Sequence, residues 1–348
     1  MSPQDWGPAP DSLPPDSHQM SSRPAAIRAV MSGVGAYLPA RIATNDDLAA
    51  IVDTSDSWIQ ERTGIRQRHL AAPHETAVFM ATRAAEAALA HAGIDAAEVD
   101  AILVATSTPD EAFPATAVRV QAALGVTRGF AFDIAAACSG FIFAMATADA
   151  FIRTGSARNV LVIGAEVYSR ILNWSDRTTC VLFGDGAGAV LLQASAPDAP
   201  ANGPGILSTH LHADGRHGDI LYVDGAVGRR DRPGHLVMRG QEVFRQAVTK
   251  LAGVVEEALA ANHLTHADID WLVPHQANRR IIDAMGKRLH LAPERVVVTV
   301  DRHANTSAAS IPLALAEAVH DGRIQHGQLV LMEALGGGLT WGAALVRY

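Results

Sequence analysis

The segment ALAHAGIDAAEVDAIL, at residues 88–103, aligns without a gap on ALAANHLTHADIDWLV, at residues 258–273, at an offset of 170 residues. In both segments the pattern predicts the end of a helix, a turn, a short capped stretch and an apolar strand. Because the two copies keep the same order of elements, they indicate an internal duplication of about 170 residues.

Two further pairs of segments support the duplication. DIAAACSGFIFAMATADAF at 133–151 aligns with DRHANTSAASIPLALAEAV at 301–319, at an offset of 168. VLVIGA at 160–165 aligns with LVLMEA at 329–334, at an offset of 169. Short, doubly apolar strands alternate with helices in both copies, which predicts two α/β halves whose sheets are covered on both faces.

The rest of the chain can be divided around these halves. Residues 1–25 are rich in proline and bury little apolar surface, so we expect a disordered tail. We place the first half at residues 26–197 and the second at residues 198–348. Two similar halves should pack side by side, with ligands entering at the ends of matching strands.

Composition excludes several classes of protein. The 348 residues are 49% hydrophobic and 18% charged, which is typical of a soluble globular protein. The net charge of −8 argues against general nucleic-acid binding. The chain has no long uncharged apolar run, so we expect no transmembrane helix. Its first residues lack a basic start followed by an apolar run, so we expect no secretory signal. Two cysteines make no disulfide framework and fit a reducing, cytoplasmic setting.

Cys138 follows three alanines at the predicted junction between a strand and a long apolar helix. Free N–H groups and a partial positive charge at the helix N-terminus favour a thiolate, so we expect the Cys138 pKa to lie below its usual value of about 8.5. An isolated cysteine in such a turn is more often a buried structural residue. The same argument does not apply to Cys180, which lies in the apolar run TCVLF and is expected to be buried in the core.

Two polar residues in the second half are candidate partners for Cys138. His275 in PHQAN directly follows a predicted strand, and Asn305 lies in DRHANTS. The offset of 168 places Asn305 one residue before the equivalent of Cys138, so the duplication predicts similar places for the two loops. Each partner alone has a structural alternative, since an asparagine before a helix can act as a cap. Together they predict a nucleophile with two polar partners in one cleft.

Several long motifs carry a specific resemblance. DIAAACSGF, VPHQANRRI, DRHANTSAAS and ALGGGLTWGAALV strongly resemble the motifs of β-ketoacyl-acyl carrier protein synthase III, a family of the thiolase superfamily. TSDSWIQERTGIRQRH and SDRTTCVLFGDGAGAVLL resemble it as well, so the likeness runs from about residue 27 to the C-terminus. It implies the thiolase-like five-layered αβαβα fold and a homodimer. It also implies an acyltransferase that condenses an acyl-CoA primer with malonyl-acyl carrier protein and initiates type II fatty acid synthesis.

The resemblance implies roles for particular residues. The catalytic residues would be Cys138, His275 and Asn305, with the backbone N–H groups of Cys138 and Gly337 as an oxyanion hole. The CoA thioester would be a substrate, and no cofactor or metal is implied. CoA would be bound by Trp58, Arg62, Arg177, Gly240 and Asn278, with the adenine between Trp58 and Arg177.

The remaining implied roles concern the acyl chain and the carrier protein. The acyl pocket would contain Phe113, contributed to the partner subunit, together with Leu335 and Leu339. The acidic carrier protein would contact Arg245, Gln276, Arg279, Arg280, Lys287 and Arg288. For Trp58 and Phe113 the alternative is ordinary burial of an aromatic ring, and for the basic residues it is a solvated helix face.

Alternatives to this function remain open at this point. A thiolase would carry a second cysteine in the C-terminal glycine-rich motif, and Gly336-Gly337-Gly338 has none beside it. The elongating synthases would carry histidine at Asn305, and a hydroxymethylglutaryl synthase would use a glutamate base. A secondary-metabolism relative with the same three residues and a non-catalytic acyl-binding subunit stay as rivals. Acyl-chain preference stays open, because many family members have phenylalanine where Leu335 and Leu339 stand.

Overall fold

The computed structural model describes residues 27–196, 198–200, 202–225 and 234–348. The tail expected at residues 1–25 lies outside the described residues. In chain order, the elements of the first half are β1 (Ala29–Tyr37), β2 (Ile42–Thr44), α1 (Asn45–Ala49), α2 (Asp56–Thr63), β3 (Gln67–His69), α3 (Ala77–Ala92), β4 (Ala101–Ala105), α4 (Thr116–Ala123), β5 (Phe130–Ile134), α5 (Gly140–Arg153), β6 (Asn159–Val167) and β7 (Asp185–Ala194).

The second half has a similar series of elements. They are β8 (Gly205–Ala213), β9 (Leu221–Val223), β10 (Leu236–Met238), α6 (Gly240–Ala261), β11 (Trp271–Pro274), α7 (Arg279–Arg288), α8 (Val300–His303), α9 (Ser310–His320), β12 (Leu329–Gly336) and β13 (Thr340–Arg347).

The long strands form two main sheets, one from each half. The first sheet has the order β1-β7-β6-β4-β5, and the second has the order β11-β12-β13-β8. Strand β4 runs parallel to β5 and β6, and β11 runs parallel to β12. Strand β12 is buried along its whole length, and β6 is buried in all but its first residue, as predicted for sheets covered on both faces.

Helices form three layers around these sheets. Helices α5 and α9 pack against strands of both sheets and share one apolar core with them. Helices α3 and α4 cover the outer face of the first sheet. Helices α6 and α7 cover the outer face of the second, where Ile281 and Met285 join its core. The predicted five-layered αβαβα arrangement is therefore confirmed.

The duplication is present, and one offset of 170 residues describes the segments around the central strands. The 3₁₀ turn Ala96–Glu98 corresponds to His266–Asp268, as the first pair of segments predicted. Ala101 of β4 pairs with Val160 of β6, and the matching pair in the second sheet is Trp271 with Val330. The sequence alignment of VLVIGA at an offset of 169 is therefore wrong by one residue.

The alignment around Cys138 is wrong by two residues. The 3₁₀ turn Ala137–Ser139 leads into α5, and its counterpart Ser307–Ala309 leads into α9, 170 residues later. Cys138 thus corresponds to Ala308, and Asn305 lies just before the equivalent turn. The error arose because the residues before Asn305 form the short helix α8 instead of a strand like β5.

Candidate active site

One cavity of about 630 Å³ brings most of the predicted site residues together. The three predicted catalytic residues come from separate segments, one in the first half and two in the second, and all three line this cavity. The other predicted residues that line it are Trp58, Arg62, Gly240, Asn278, Arg280, Leu335 and Gly337.

Cys138 lies in the 3₁₀ turn between β5 and α5, and only 5% of its surface is exposed. The neighbouring Ser139 donates from Oγ to Thr340 Oγ1 at 2.8 Å, and Thr340 donates in turn to the Ala136 carbonyl at 3.1 Å. Since Thr340 begins β13, these bonds fix the cysteine turn of the first half to the second half.

The predicted lowering of the Cys138 pKa is wrong. Burial raises the pKa of this thiol to about 12, and the buried Glu166 carboxyl adds to the rise, while the nearby Ser307 side chain opposes it. Removal from water raises the free energy of a thiolate by more than the partial positive charge at the start of α5 lowers it. Cys138 is therefore a thiol at neutral pH and must lose its proton as it reacts.

His275 directly follows β11 and is fixed through both its backbone and its ring. Its N–H donates to the Glu333 carbonyl at 2.8 Å, and its Nδ1 lies 2.7 Å from Ser310 Oγ. Burial lowers the pKa of His275 to about 4, so the imidazole is neutral at pH 7. Sequence analysis missed Ser310, which nothing in the DRHANTSAAS motif distinguishes from its small neighbours.

Asn305 is held by a segment of the first half. Its N–H donates to the Leu182 carbonyl at 3.0 Å, and its own carbonyl accepts from Gly184 N–H at 3.0 Å. The side-chain Oδ1 accepts from Ser307 N–H at 2.8 Å. Within the described part of the chain the Asn305 NH₂ group has no partner, so it is left as a donor toward the cavity.

The glycine run packs against the cysteine turn. A Cβ atom on Gly336 would lie 2.7 Å from the Cys138 backbone nitrogen, so only glycine fits there without a shift. Gly337 lines the cavity, as its predicted oxyanion role requires, although its own Cβ would meet the Leu221 carbonyl. Sequence analysis assigned a role to Gly337 and passed over Gly336.

The Arg62 and Arg177 side chains lie against the Trp58 ring, where the adenine of CoA is predicted to bind. The Arg62 and Arg177 guanidinium carbons lie 4.4 Å and 5.3 Å from the Trp58 ring centroid, and Arg177 also donates to the Asp53 carbonyl at 2.8 Å. An adenine between Trp58 and Arg177 would need about 7 Å, which is two van der Waals contacts. The open sandwich is thus not present in this structure, and Arg177 would have to move.

Two other predicted CoA residues begin helices at the cavity. Asn278 caps α7 by accepting a hydrogen bond from Ile281 N–H at 3.0 Å. Gly240 is the first residue of α6, and a Cβ there would meet only Met238 Cε at 3.6 Å. The protein itself therefore leaves the space beside Gly240 open.

The three predicted acyl-pocket residues lie in different environments. Leu335 lines the cavity. Leu339 does not line it: this residue is fully buried in the core between the second sheet and α6, and its backbone pairs with Asp214. Its assignment to the acyl pocket is wrong. Phe113 is 84% exposed and lies outside this cavity of its own chain.

The predicted carrier-protein residues differ in their exposure to solvent. Gln276 is completely buried and cannot contact another protein, so its assignment is wrong. Its Oε1 accepts from Thr299 and Val300 N–H, and its Nε2 donates to the carbonyls of Pro274 and Val297. The remaining predicted residues are exposed on the packed pair α6 and α7: Arg245, Arg279, Arg280, Lys287 and Arg288.

Known proteins resemble this chain in sequence over both halves. The sequence profile described as 3-oxoacyl-[acyl-carrier-protein (ACP)] synthase III matches residues 132–215, and the profile of that family's C-terminal part matches residues 259–348. Beta-ketoacyl-[acyl-carrier-protein] synthase III of Acidiphilium cryptum is 71% identical, over 92% of this chain and 99% of the relative. The corresponding protein of Granulibacter bethesdensis is 68% identical over the same shares.

A solved structure resembles the whole fold. The crystal structure of 3-oxoacyl-[acyl-carrier-protein] synthase III from Aquifex aeolicus superposes with a TM-score of 0.86 at 47% sequence identity. The match covers 92% of this chain and 100% of that chain. The likeness therefore extends over both halves.

Proposed function

This chain belongs to the 3-oxoacyl-[acyl-carrier-protein] synthase III family, and we propose that Cys138, His275 and Asn305 carry out its reaction. The protein is a β-ketoacyl-acyl carrier protein synthase III, an acyltransferase that initiates fatty acid synthesis. The observation that supports these residue roles is the single cavity lined by a thiol, a neutral imidazole and a free amide NH₂.

The first half-reaction transfers an acyl group to Cys138. The thiol proton leaves as sulfur bonds to the thioester carbon of acyl-CoA, the C–S bond to CoA breaks, and CoA leaves as a thiol. Because the resting group is a thiol with a pKa of about 12, proton loss and attack are coupled. The backbone N–H groups of Cys138 and Gly337 are the proposed donors to the oxyanion.

The second half-reaction uses malonyl-acyl carrier protein. His275 and the Asn305 NH₂ donate hydrogen bonds to the malonyl thioester oxygen. The bond to the carboxylate breaks, CO₂ leaves, and the electron pair forms an enolate on that thioester. The enolate carbon then bonds to the acyl carbon, the C–S bond to Cys138 breaks, and the sulfur takes up a proton from solvent. Both steps proceed through the thioesters and the cysteine, so we propose no resident cofactor.

The residues that line the cavity support the binding of CoA. Trp58, Arg62, Gly240 and Asn278 line the cavity, and Arg177 reaches the adenine once it leaves the Trp58 ring. The exposed basic residues lie on α6 and α7, and one of them, Arg280, lines the cavity. We propose that they bind the acidic carrier protein.

Two features support a homodimer. Strand β5 is the last strand in the order of the first sheet, and all five of its residues are partly exposed. The exposed Phe113 lies in the loop before α4 and is available to enter a partner's acyl pocket. Among the described residues, no helix is long and apolar enough to cross a membrane. We propose that the dimer works in the cytoplasm.

Intact-mass measurement tests the assignment. The wild-type chain mixed with acetyl-CoA should gain one acyl group, and addition of malonyl-acyl carrier protein should release it as 3-oxoacyl-acyl carrier protein. The Cys138→Ala variant should gain none, whereas Cys180→Ala, which removes the other buried thiol, should acylate normally. An adduct that survives Cys138→Ala contradicts the proposal. Acyl transfer to a different nucleophile would favour the secondary-metabolism alternative.

A further inference from the structure

Ser310 is the first residue of α9 and is almost completely buried. Its Oγ lies 2.7 Å from His275 Nδ1 and 3.3 Å from the Gln276 backbone nitrogen. We propose that Ser310 is a positioning residue that holds the proton of His275 on Nε2, the nitrogen left for the malonyl thioester. The inference rests on the proposed function, since it concerns how His275 donates.

The count of donors and acceptors decides the tautomer. The Gln276 N–H can only donate, so it occupies a lone pair of Ser310 Oγ. Among the described residues, the hydroxyl proton then has one acceptor within reach, the Nδ1 atom of His275. If Nδ1 carried the proton instead, it would donate to Ser310, and the hydroxyl proton would be buried without an acceptor, which is unfavourable.

The arrangement leaves Nε2 as the only donor atom of the ring. Nδ1 accepts from Ser310, and the His275 backbone N–H is already bound to the Glu333 carbonyl. Within the described residues Nε2 has no partner, and His275 lines the cavity. A neutral ring in this tautomer can donate to a thioester oxygen, whereas the other neutral tautomer would present a lone pair to it.

Ser310 also makes the ring orientation insensitive to the substrate. The serine begins a helix of the central layer, and its Oγ lies between the ring and the backbone of the next residue, Gln276. The Gln276 side chain makes four further hydrogen bonds in the core. The ring is thus fixed before malonyl-acyl carrier protein arrives, so no binding energy is spent on orienting it.

NMR of the protein with ¹⁵N-labelled histidine rings measures the tautomer directly. The chain has 15 histidines, and the His275 signals are those that disappear in His275→Ala. At pH 7.5 the wild type should show a proton on Nε2 and an unprotonated Nδ1. Removal of the hydroxyl in Ser310→Ala should give a mixture of both neutral tautomers. A wild-type ring with its proton on Nδ1, or an unchanged ring in Ser310→Ala, would overturn the inference.

Kinetics give a second readout that a merely structural role would not produce. In Ser310→Ala, acylation of Cys138 and the KM for acyl-CoA should stay at wild-type values. The rate of malonyl decarboxylation should fall about 10- to 100-fold, the size of effect found when a metal-bound histidine loses its outer hydrogen-bond partner. Thr82→Ala, which removes a buried hydroxyl from helix α3 in the outer layer, is the matched control and should keep both rates.

The two proposals fail in different ways. If the wild type makes no acyl adduct, the proposed function fails, while the tautomer remains measurable in the resting protein. If the wild type condenses its substrates but Ser310→Ala decarboxylates at the normal rate, only the role of Ser310 is lost. Should Ser310→Ala not fold, the wild-type tautomer alone decides.

Discussion

The backbone nitrogen of Cys138 lies where a side chain on Gly336 would have to be, since an added Cβ would come within 2.7 Å of it. Carbon needs about 3.5 Å from such a neighbour, so Gly336→Ala must displace the cysteine turn. We expect acylation of Cys138 by acetyl-CoA to slow about 100-fold or more, as a shift approaching 1 Å would cause. Time-resolved intact mass measures the rate.

Gly253 in α6 provides the control for that variant. A Cβ there would meet nothing within 4 Å, so Gly253→Ala should keep the acylation rate and the melting temperature, or raise the latter slightly. Wild-type acylation by Gly336→Ala would show that the cysteine turn tolerates displacement.

His275 and Asn305 should be needed for only one of the two half-reactions. Both donate to the malonyl thioester in the proposed mechanism, and neither bonds to the acyl group. His275→Ala and Asn305→Ala should therefore keep the acyl adduct on Cys138 and lose CO₂ release by about 100-fold or more. Radiolabelled malonyl-acyl carrier protein measures the release. Loss of the adduct in both variants would contradict this division.

Leu335 and Leu339 should respond differently to substitution, because only Leu335 lines the cavity. Leu335→Phe fills cavity space, so kcat/KM for longer acyl-CoAs should fall about tenfold or more relative to acetyl-CoA. Leu339→Ala should lower the free energy of unfolding by about 2–5 kcal/mol and leave the ratio between primers unchanged. A primer panel and urea denaturation measure both. Equal primer ratios in Leu335→Phe and the wild type would remove Leu335 from the acyl pocket.

Substitution of Gln276 should lower the stability of the fold, whereas substitution of Lys287 should weaken the binding of the carrier protein. Gln276→Ala leaves the buried N–H groups of Thr299 and Val300 unpaired, at about 1–3 kcal/mol each in free energy of unfolding. Lys287→Glu, on the exposed face of α7, should change stability by less than about 0.5 kcal/mol and raise the KM for malonyl-acyl carrier protein. The rise should shrink at high salt. An unchanged KM in Lys287→Glu would exclude this residue from the binding surface.

The buried His275 should make the fold sensitive to mild acid. Its pKa is about 4 in the folded chain against an ordinary value of 6.5, so the unfolded chain binds more protons between these values. Stability therefore falls as pH drops from about 6.5 to 4, by about 3 kcal/mol from this group. In His275→Gln, which cannot titrate, the loss of unfolding free energy between pH 7 and pH 4 should be smaller by about that amount. Equal losses of unfolding free energy in the variant and the wild type would show that the His275 pKa is not lowered in the folded chain.

Much of the site could be predicted because its residues follow sharp local signals. Cys138, His275 and Asn305 lie in short motifs at the ends of predicted elements, and all three line the cavity. The duplication was also visible, since the segments from the end of α3 to β4 and from the end of α6 to β11 kept their spacing.

The errors concern properties that depend on distant parts of the chain. Whether Leu335 or Leu339 meets the cavity depends on the pairing of β12 with β13 and of Leu339 with Asp214. The Cys138 pKa depends on burial under the second half, which local sequence does not show. In the sequence Gln276 resembles a surface residue, because Arg279 and Arg280 follow it closely, until its four core hydrogen bonds are known.

The two central helices begin beside residues that line the same cavity. Helix α5 starts directly after the Cys138 turn, and helix α9 starts at Ser310, against His275. A helix start carries a partial positive charge, and the proposed reaction forms negative charge at two places, on the oxygen of the acyl group at Cys138 and on the malonyl enolate. Each anion would arise near a different helix start. Duplication of one α/β unit has thus placed two partly positive helix starts beside a single chamber, one near the acyl group and one near the malonyl thioester.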